Sequence, residues 1–169
     1  EPPSMRAAGM RCDFVGQPVV TDPQATPSEI AVFRKTHNIE GAPLLLVLPG
    51  SRRSEVRRLL PIFRGAVAAL IRQHPALRVV VPSVSAVESQ VRTTVADWPG
   101  KPIVVGPKAA TATRTHTQTL AHLLETAHSD KRAAFAAADV ALAASGTVSL
   151  ELAAAATPMV IAYDMAWLS

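Results

Sequence analysis

Two short segments of this 169-residue chain carry residue types suited to holding an anion. The first reads Leu48-Pro49-Gly50-Ser51-Arg52-Arg53-Ser54-Glu55. Gly50 lets a ligand approach the backbone without a Cβ in the way. Ser51 offers a hydroxyl, and a helix starting just beyond it presents unpaired N–H groups and a partial positive charge. Arg52 and Arg53 add planar, permanently charged forks that match phosphate oxygens. Together these make a diphosphate cradle. It is not a Walker loop, since no Gly-Lys-Ser/Thr follows, and it lacks the three glycines of the dinucleotide fingerprint. The same residues also suit an ordinary strand-to-helix turn with solvated arginines. The second segment reads Ala144-Ser145-Gly146-Thr147-Val148-Ser149-Leu150-Glu151. Ser145, Gly146 and Thr147 can offer N–H and hydroxyl groups to a phosphate or sugar. Glu151, about one turn into a following helix, can accept two hydroxyls of a ribose. The plainer alternative makes Ser145 a helix cap and Glu151 a charge that compensates the helix dipole.

Other reactive types are less organised. His37, His74, His116, His122 and His128 form no metal-ligand pair with neighbouring acids, and no Asp-x-Asp metal motif occurs. No Gly-x-Ser-x-Gly elbow presents a serine nucleophile. The one cysteine, Cys12, excludes an internal disulfide and a cysteine zinc site; at the start of an apolar run it reads as buried and inert. The formal charge of +4 is unevenly spread. Six arginines (Arg52, Arg53, Arg57, Arg58, Arg64, Arg72) and one acid, Glu55, lie between Ser51 and Arg72, whereas the rest holds 11 bases and 12 acids. Nucleic-acid binding calls for basic residues spread over a face and aromatics for stacking. Aromatics make up 4% of the chain and none lies between Ser51 and Leu60, so a local anion site or a partly solvated helix face is expected and a nucleic-acid partner is not.

These segments need elements to hold them, and the pattern along the chain supplies strands and helices in alternation. Cys12 to Gly16 reads as a strand end. Thr26-Pro27-Ser28-Glu29 opens a helix to about His37, which stops in Asn38-Ile39-Glu40-Gly41. Leu44 to Leu48 is apolar without alternation, as a central parallel strand buried on both faces must be. A helix from about Ser54 reaches Gln73 with an interruption or kink near Pro61. Arg78–Val81 is a strand, Val87–Trp98 a helix with Val87, Val91 and Val95 on one face, and Ile103–Val105 a strand. Lys108 to Gln118 reads as a loop, and Leu120–Glu125 and Asp130–Ala138 as helices. Val140–Ala144 is a strand, Gly146–Ala156 a helix and Pro158–Tyr163 a strand. Strands separated by helices give an α/β fold with a doubly wound parallel sheet, whose ligands sit at the carboxyl ends of the strands. Apolar runs of about a dozen residues fall short of the roughly 20 that span a bilayer. The opening Glu1-Pro2-Pro3-Ser4, with no initiator Met, reads as an excerpt of a longer chain.

Four blocks resemble the lipid-A-disaccharide synthase family of bacterial glycosyltransferases. They are Phe14-Val15-Gly16-Gln17-Pro18, Leu48 to Glu55, Ala137 to Leu152 (Ala-Ala-Asp-Val-Ala-Leu-Ala-Ala-Ser-Gly-Thr-Val-Ser-Leu-Glu-Leu), and Thr157-Pro158-Met159-Val160-Ile161-Ala162-Tyr163. They occur in the family's order and span nearly the whole chain. Leu-Pro-Gly-Ser-Arg-Arg-Ser-Glu is the most particular to that family.

The resemblance implies a two-domain fold with Rossmann-like halves. Residues 1–22 would then be a remnant of the preceding acceptor domain and the crossover. Residues 23–169 would be the UDP-sugar-binding domain, cut short at its carboxyl end. The implied reaction transfers diacylglucosamine from UDP-2,3-diacylglucosamine to lipid X, the 2,3-diacylglucosamine 1-phosphate, with release of UDP. By position, Gly50, Ser51, Arg52, Ser145, Gly146 and Thr147 would face the diphosphate and Glu151 the ribose, with Gln17 and Arg53 in the cleft. Gln17 stands where the family has His, so the block lacks a group that titrates near neutral pH. The family's acceptor site and catalytic carboxylate belong to the amino-terminal domain, so no catalytic residue is assigned here. No cofactor or metal is implied: arginine and helix dipoles stabilise the leaving diphosphate. The expected setting is the cytoplasm, with peripheral contact at the inner face of the bacterial inner membrane and room for an oligomer of the full-length enzyme. The alternative is a non-catalytic α/β module that binds a phosphate or nucleotide.

Overall fold

Five consecutive apolar residues, Leu44–Leu48, form strand β1, and all five are buried. Leu45 and Val47 join one apolar cluster, whereas Leu44, Leu46 and Leu48 join another on the opposite face of the sheet. A strand clothed on both sides has no polar face, which is why its sequence does not alternate. The structure is a computed structural model and describes residues 2–13, 16, 19, 22–106 and 130–164. Around β1 the order is α1 (Pro2–Ala7), α2 (Pro27–Thr36), β1, α3 (Arg53–Gln73), β2 (Arg78–Pro82), α4 (Glu88–Val95), β3 (Ile103–Val105), α5 (residues 130–137), β4 (Val140–Ala144), α6 (Val148–Ala154) and β5 (Met159–Ala162). All strand pairs are parallel, in the order β3-β2-β1-β4-β5.

The two clusters show the double winding. Val56, Leu60, Phe63 and Val67 of α3 and Val91 and Val95 of α4 cover one face of the sheet. Phe33 of α2, Ala133, Ala134 and Ala137 of α5 and Leu152 of α6 cover the other. The alanines of α5 share this cluster with Ala141 and Ala143 of β4. At the amino ends of the strands, Asp139 Oδ2 accepts the Leu44 N–H at 2.7 Å and pairs with Arg34 Nη2 at 3.5 Å. Arg34 in turn donates to the carbonyl of Ala42 at 2.8 Å, tying α2, β1 and β4 together away from the strands' carboxyl ends.

Some expectations change. The helix expected from Thr26 is present with Thr26 as its cap: the Glu29 N–H donates to Thr26 Oγ1 at 3.3 Å, and the Thr26 N–H to Glu29 Oε2 at 2.7 Å. Pro61 does not interrupt α3, which is continuous over 21 residues. Pro61 and Arg57 both lie on the exposed face, so the Arg57 carbonyl that loses its helical donor meets water. Cys12 and Asp13 are in no strand. The Cys12 carbonyl accepts Arg6 Nε at 2.8 Å, which occupies a group a ladder would need, and the Asp13 carboxylate pairs with the same arginine. Cys12 is half-buried, not fully buried. The helix after Gly146 starts at Val148 and ends at Ala154, and the one expected from Val87 to Trp98 is confined to Glu88–Val95. Phe14, Val15, Gln17, Pro18 and the Lys108–Gln118 and Leu120–Glu125 segments lie outside the described residues.

Candidate functional site

The chain begins its sheet at β1, works outward through β2 to β3, and returns to pair β4 against the other side of β1. The winding therefore reverses between β1 and β4, and in sheets of this kind the crevice beyond the carboxyl ends of such a pair receives ligands. In the register of these two strands Leu48 pairs with Ala143, so both leave the sheet at the same level. The turn after β1 is Pro49-Gly50-Ser51-Arg52 and the turn after β4 is Ser145-Gly146-Thr147. The two segments singled out by residue type are thus brought side by side, although about a hundred residues separate them in sequence.

At the first turn Gly50 has φ +107°, a conformation that L side chains rarely adopt. A Cβ there would lie 2.5 Å from Glu55 Oε2. The close approach that Gly50 permits is therefore that of Glu55. The carboxylate accepts the Ser51 N–H at 3.2 Å, the Arg52 N–H at 3.3 Å and Arg52 Nη1 at 2.7 Å. Two N–H donors expected to be open are already bonded. Burial pushes the Glu55 carboxyl up. The hydrogen bonds from the Arg52 side chain and from the Arg52 and Ser51 backbones, with the Arg52 charge, outweigh it and hold the group below its ordinary value. Ser51, Arg52 and Arg53 are exposed, and the Arg53 carbonyl accepts Gln90 Nε2 at 3.3 Å, which links the start of α3 to α4.

The second turn is open. Gly146 has φ +146° and nothing within 4 Å of where its Cβ would be. Ser145, Gly146 and Thr147 are exposed, and no acceptor among the described residues bonds the N–H groups of Gly146 and Thr147. The Ser145 N–H donates to the Ala162 carbonyl at 3.1 Å, continuing the pairing of β4 with β5, and Thr147 holds the cap position of α6. Ser145 is therefore no helix cap. Ser149 Oγ donates to the Gly146 carbonyl at 2.8 Å and steadies the turn from within. Glu151 is half-buried and its Oε2 forms an ion pair with Lys131 Nζ of α5, which also lies 5.3 Å from the centre of the Phe135 ring. A cavity of about 350 Å³ opens beside Glu151, with Asp22, Gln24, Lys131, Arg132 and Phe135 among its lining. Arg132 Nε is buried with no partner among the described residues.

Two residues gain a place that sequence reasoning did not assign. Glu55 belongs to the quoted segment but had no role. It lies three residues after the cap position, where a capping-box glutamate belongs, yet the cap itself is Arg52 and cannot accept in return, so the usual signature is incomplete. Lys131 comes from another helix, twenty residues before Glu151, and no spacing rule links the two. Gln17 lies outside the described residues.

The sequence profile of the lipid-A-disaccharide synthetase family matches residues 1–99 and 103–169. The chain belongs to this family. Among its relatives, the lipid-A-disaccharide synthase of Ruegeria pomeroyi is 54% identical over 169 residues, covering 100% of this chain and 39% of the relative. That of Rhodospirillum centenum is 44% identical over 164 residues, covering 96% of this chain and 36% of the relative. The chain thus spans less than two fifths of the length of these lipid-A-disaccharide synthases in one case and just over one third in the other. Among solved structures, a family 9 glycosyl transferase of Veillonella parvula superposes with a TM-score of 0.59 at 14% identity, over 82% of this chain and 35% of its own. Anabaena HepE, solved in complex with UDP-glucose, superposes with a TM-score of 0.52 at 12% identity, over 82% of this chain and 34% of its own. At such low identity the likeness concerns the fold, a parallel α/β sheet of the kind these glycosyltransferases contain.

Proposed function

We propose that this chain is the nucleotide-sugar-binding part of a lipid-A-disaccharide synthase, and that residues 1–22 belong to the preceding domain and crossover while 23–169 form the UDP-sugar-binding domain. The parent enzyme transfers diacylglucosamine from UDP-2,3-diacylglucosamine to lipid X and releases UDP. One observation carries this reading: the Gly50–Arg52 turn and the Ser145–Thr147 turn leave adjacent strands at the same level, at the point where the sheet reverses its winding. The diphosphate spans them. It takes the Ser51 hydroxyl and the guanidinium donors of Arg52 from one side, and the unbonded N–H groups of Gly146 and Thr147 from the other. Glu151 shares its carboxylate between Lys131 and the ribose, and the cavity beside it takes the nucleoside end. Negative charge grows on UDP as the sugar leaves, and fixed donors that need no reorganisation lower that barrier.

The rest of the reaction needs groups outside this chain, so the chain alone binds UDP without turnover. Transfer assayed with a polypeptide of the relatives' full length, supplied with UDP-2,3-diacylglucosamine and lipid X, tests the reading. Disaccharide and UDP in equal amounts are expected. UDP binding without any transfer would make the protein a non-catalytic nucleotide module instead.

A second feature favours a peripheral lipid contact. Arg52 is paired with Glu55 and Arg64 with Asp97, but Arg53, Arg57 and Arg58 have no acidic partner among the described residues. They run along α3 from the first turn towards Ile62, which is 54% exposed. No described helix is long and apolar enough to cross a membrane. An anionic lipid surface next to this face would bring acylated substrates to the crevice.

A further inference from the structure

Glu55 gathers three donors that an anion at the first turn would otherwise be offered: the N–H groups of Ser51 and Arg52 and one edge of the Arg52 guanidinium. A carboxylate so placed is either a competitor that the diphosphate must displace or a fixed part of the turn. Several observations favour the second. The missing Cβ of Gly50 makes room for Glu55, since a Cβ would lie 2.5 Å from its Oε2 and 2.9 Å from its own Cβ. The turn's backbone is thus shaped around this side chain. Glu55 is also the more enclosed partner, with a side-chain exposure of 27% against 78% for Arg52. Its contact with Arg52 uses Nη1 alone, and the other guanidinium donors have no partner among the described residues. At the second turn the N–H groups of Gly146 and Thr147 meet no acceptor among the described residues, so the crevice has anion donors without those that Glu55 takes.

We infer that Glu55 is a positioning residue of the nucleotide site: it remains in place when the diphosphate binds, holds Arg52 by one edge, and aims the remaining donors at the ligand. A long arginine side chain on an exposed turn samples many rotamers, and a ligand that must order it binds more weakly. Holding the guanidinium in advance offsets the repulsion of one nearby carboxylate. This inference rests on the proposed UDP site.

The test is a set of calorimetric titrations of UDP and of uridine into the full-length protein, as wild type, Glu55→Ala, Glu55→Gln, Arg52→Ala and the Glu55→Ala/Arg52→Ala double variant. Glu55→Ala is expected to weaken UDP by about tenfold, as loss of one ordered charged contact should. Uridine affinity should stay unchanged, because uridine has no diphosphate for Arg52 to meet. The double variant should bind UDP no more weakly than Arg52→Ala alone. Glu55→Gln, which keeps an acceptor for the N–H groups, should fall between wild type and Glu55→Ala, and it carries the test if Glu55→Ala does not fold. Tighter UDP binding by the Glu55 variants would show a competitor and overturn the inference. Equal losses for UDP and uridine, or full additivity in the double variant, would reduce Glu55 to a structural residue and also overturn it. Wild type that binds UDP beside variants of unchanged affinity would remove this role alone, whereas wild type that binds no UDP would remove the site itself.

Discussion

At the first turn Glu55 bonds the backbone donors that a phosphate would seek, whereas at the second turn the N–H groups of Gly146 and Thr147 meet no acceptor among the described residues. The difference lies in single atoms: Gly50 has a carboxylate where its Cβ would be, whereas Gly146 has open space. Because the Glu55 carboxyl is held below its ordinary value of 4.5, its ionised form favours the folded state. That contribution is fully present above pH 4.5 and is lost as pH falls through the lower folded value. Thermal or urea unfolding of Glu55→Gln should therefore show a loss of about 1 kcal/mol at pH 7, the size of a typical capping contact. The gap from wild type should close in acid below the ordinary value, and a gap of the same size at both pH values would contradict the assignment. The occupancy of these donors was not legible in the sequence. Residue types marked Gly50, Ser51 and Arg52 as a cradle, but which acceptor lies against them depends on the backbone angle at Gly50 and on how Glu55 folds back from α3. Lys131 was equally hidden, because its meeting with Glu151 depends on how α5 packs beside α6.

At the scale of elements the physics of burial made the sheet readable. Leu44–Leu48 reads as central, since a strand covered on both faces has no polar side, and each of the five is buried. The apolar run of β5 was a poorer guide, because Val160 and Ile161 are exposed. Val87, Val91 and Val95 marked the inner face of α4, and all three are buried. Helix ends were harder, because α6 starts two residues after Gly146, once the turn is complete. Pro61 misled for a definite reason: proline forbids a hydrogen bond, but on an exposed face water replaces it and α3 runs on. The missing bond still costs stability, with proline up to about 3 kcal/mol worse than alanine inside a helix. Pro61→Ala should accordingly raise the unfolding free energy by roughly 1–3 kcal/mol. Urea denaturation measures it, and a destabilised variant would mean that the ring's packing outweighs the restored N–H.

Over the whole molecule, the order β3-β2-β1-β4-β5 decides what the two turns mean, and that order cannot be read from residue patterns. Alternation predicted a parallel α/β sheet; the pairing of β1 with β4 is what places Gly50 beside Gly146. The charge pattern gains a direction in the same way. The arginines of α3 begin at the crevice and continue along the helix, where the exposed Arg53 and Arg57 and the half-buried Arg58 meet no acid among the described residues. Flotation with vesicles should show retention on phosphatidylglycerol and little on phosphatidylcholine, falling as salt shortens the Debye length from about 10 Å at 0.1 M. Reversing Arg57 and Arg58 to Glu should abolish it, and binding that ignores lipid charge would exclude this face as the contact.

The turns after β1 and β4 are proposed to hold one diphosphate between them. Calorimetric titration of UDP into wild type, Arg52→Ala and Glu151→Ala measures it most directly. Saturable binding by wild type is expected, with a loss of about tenfold or more in each variant, since Arg52 meets the diphosphate from the turn after β1 and Glu151 meets the ribose from the helix that follows the turn after β4. No heat with wild type, or unchanged affinity in both variants, would contradict it.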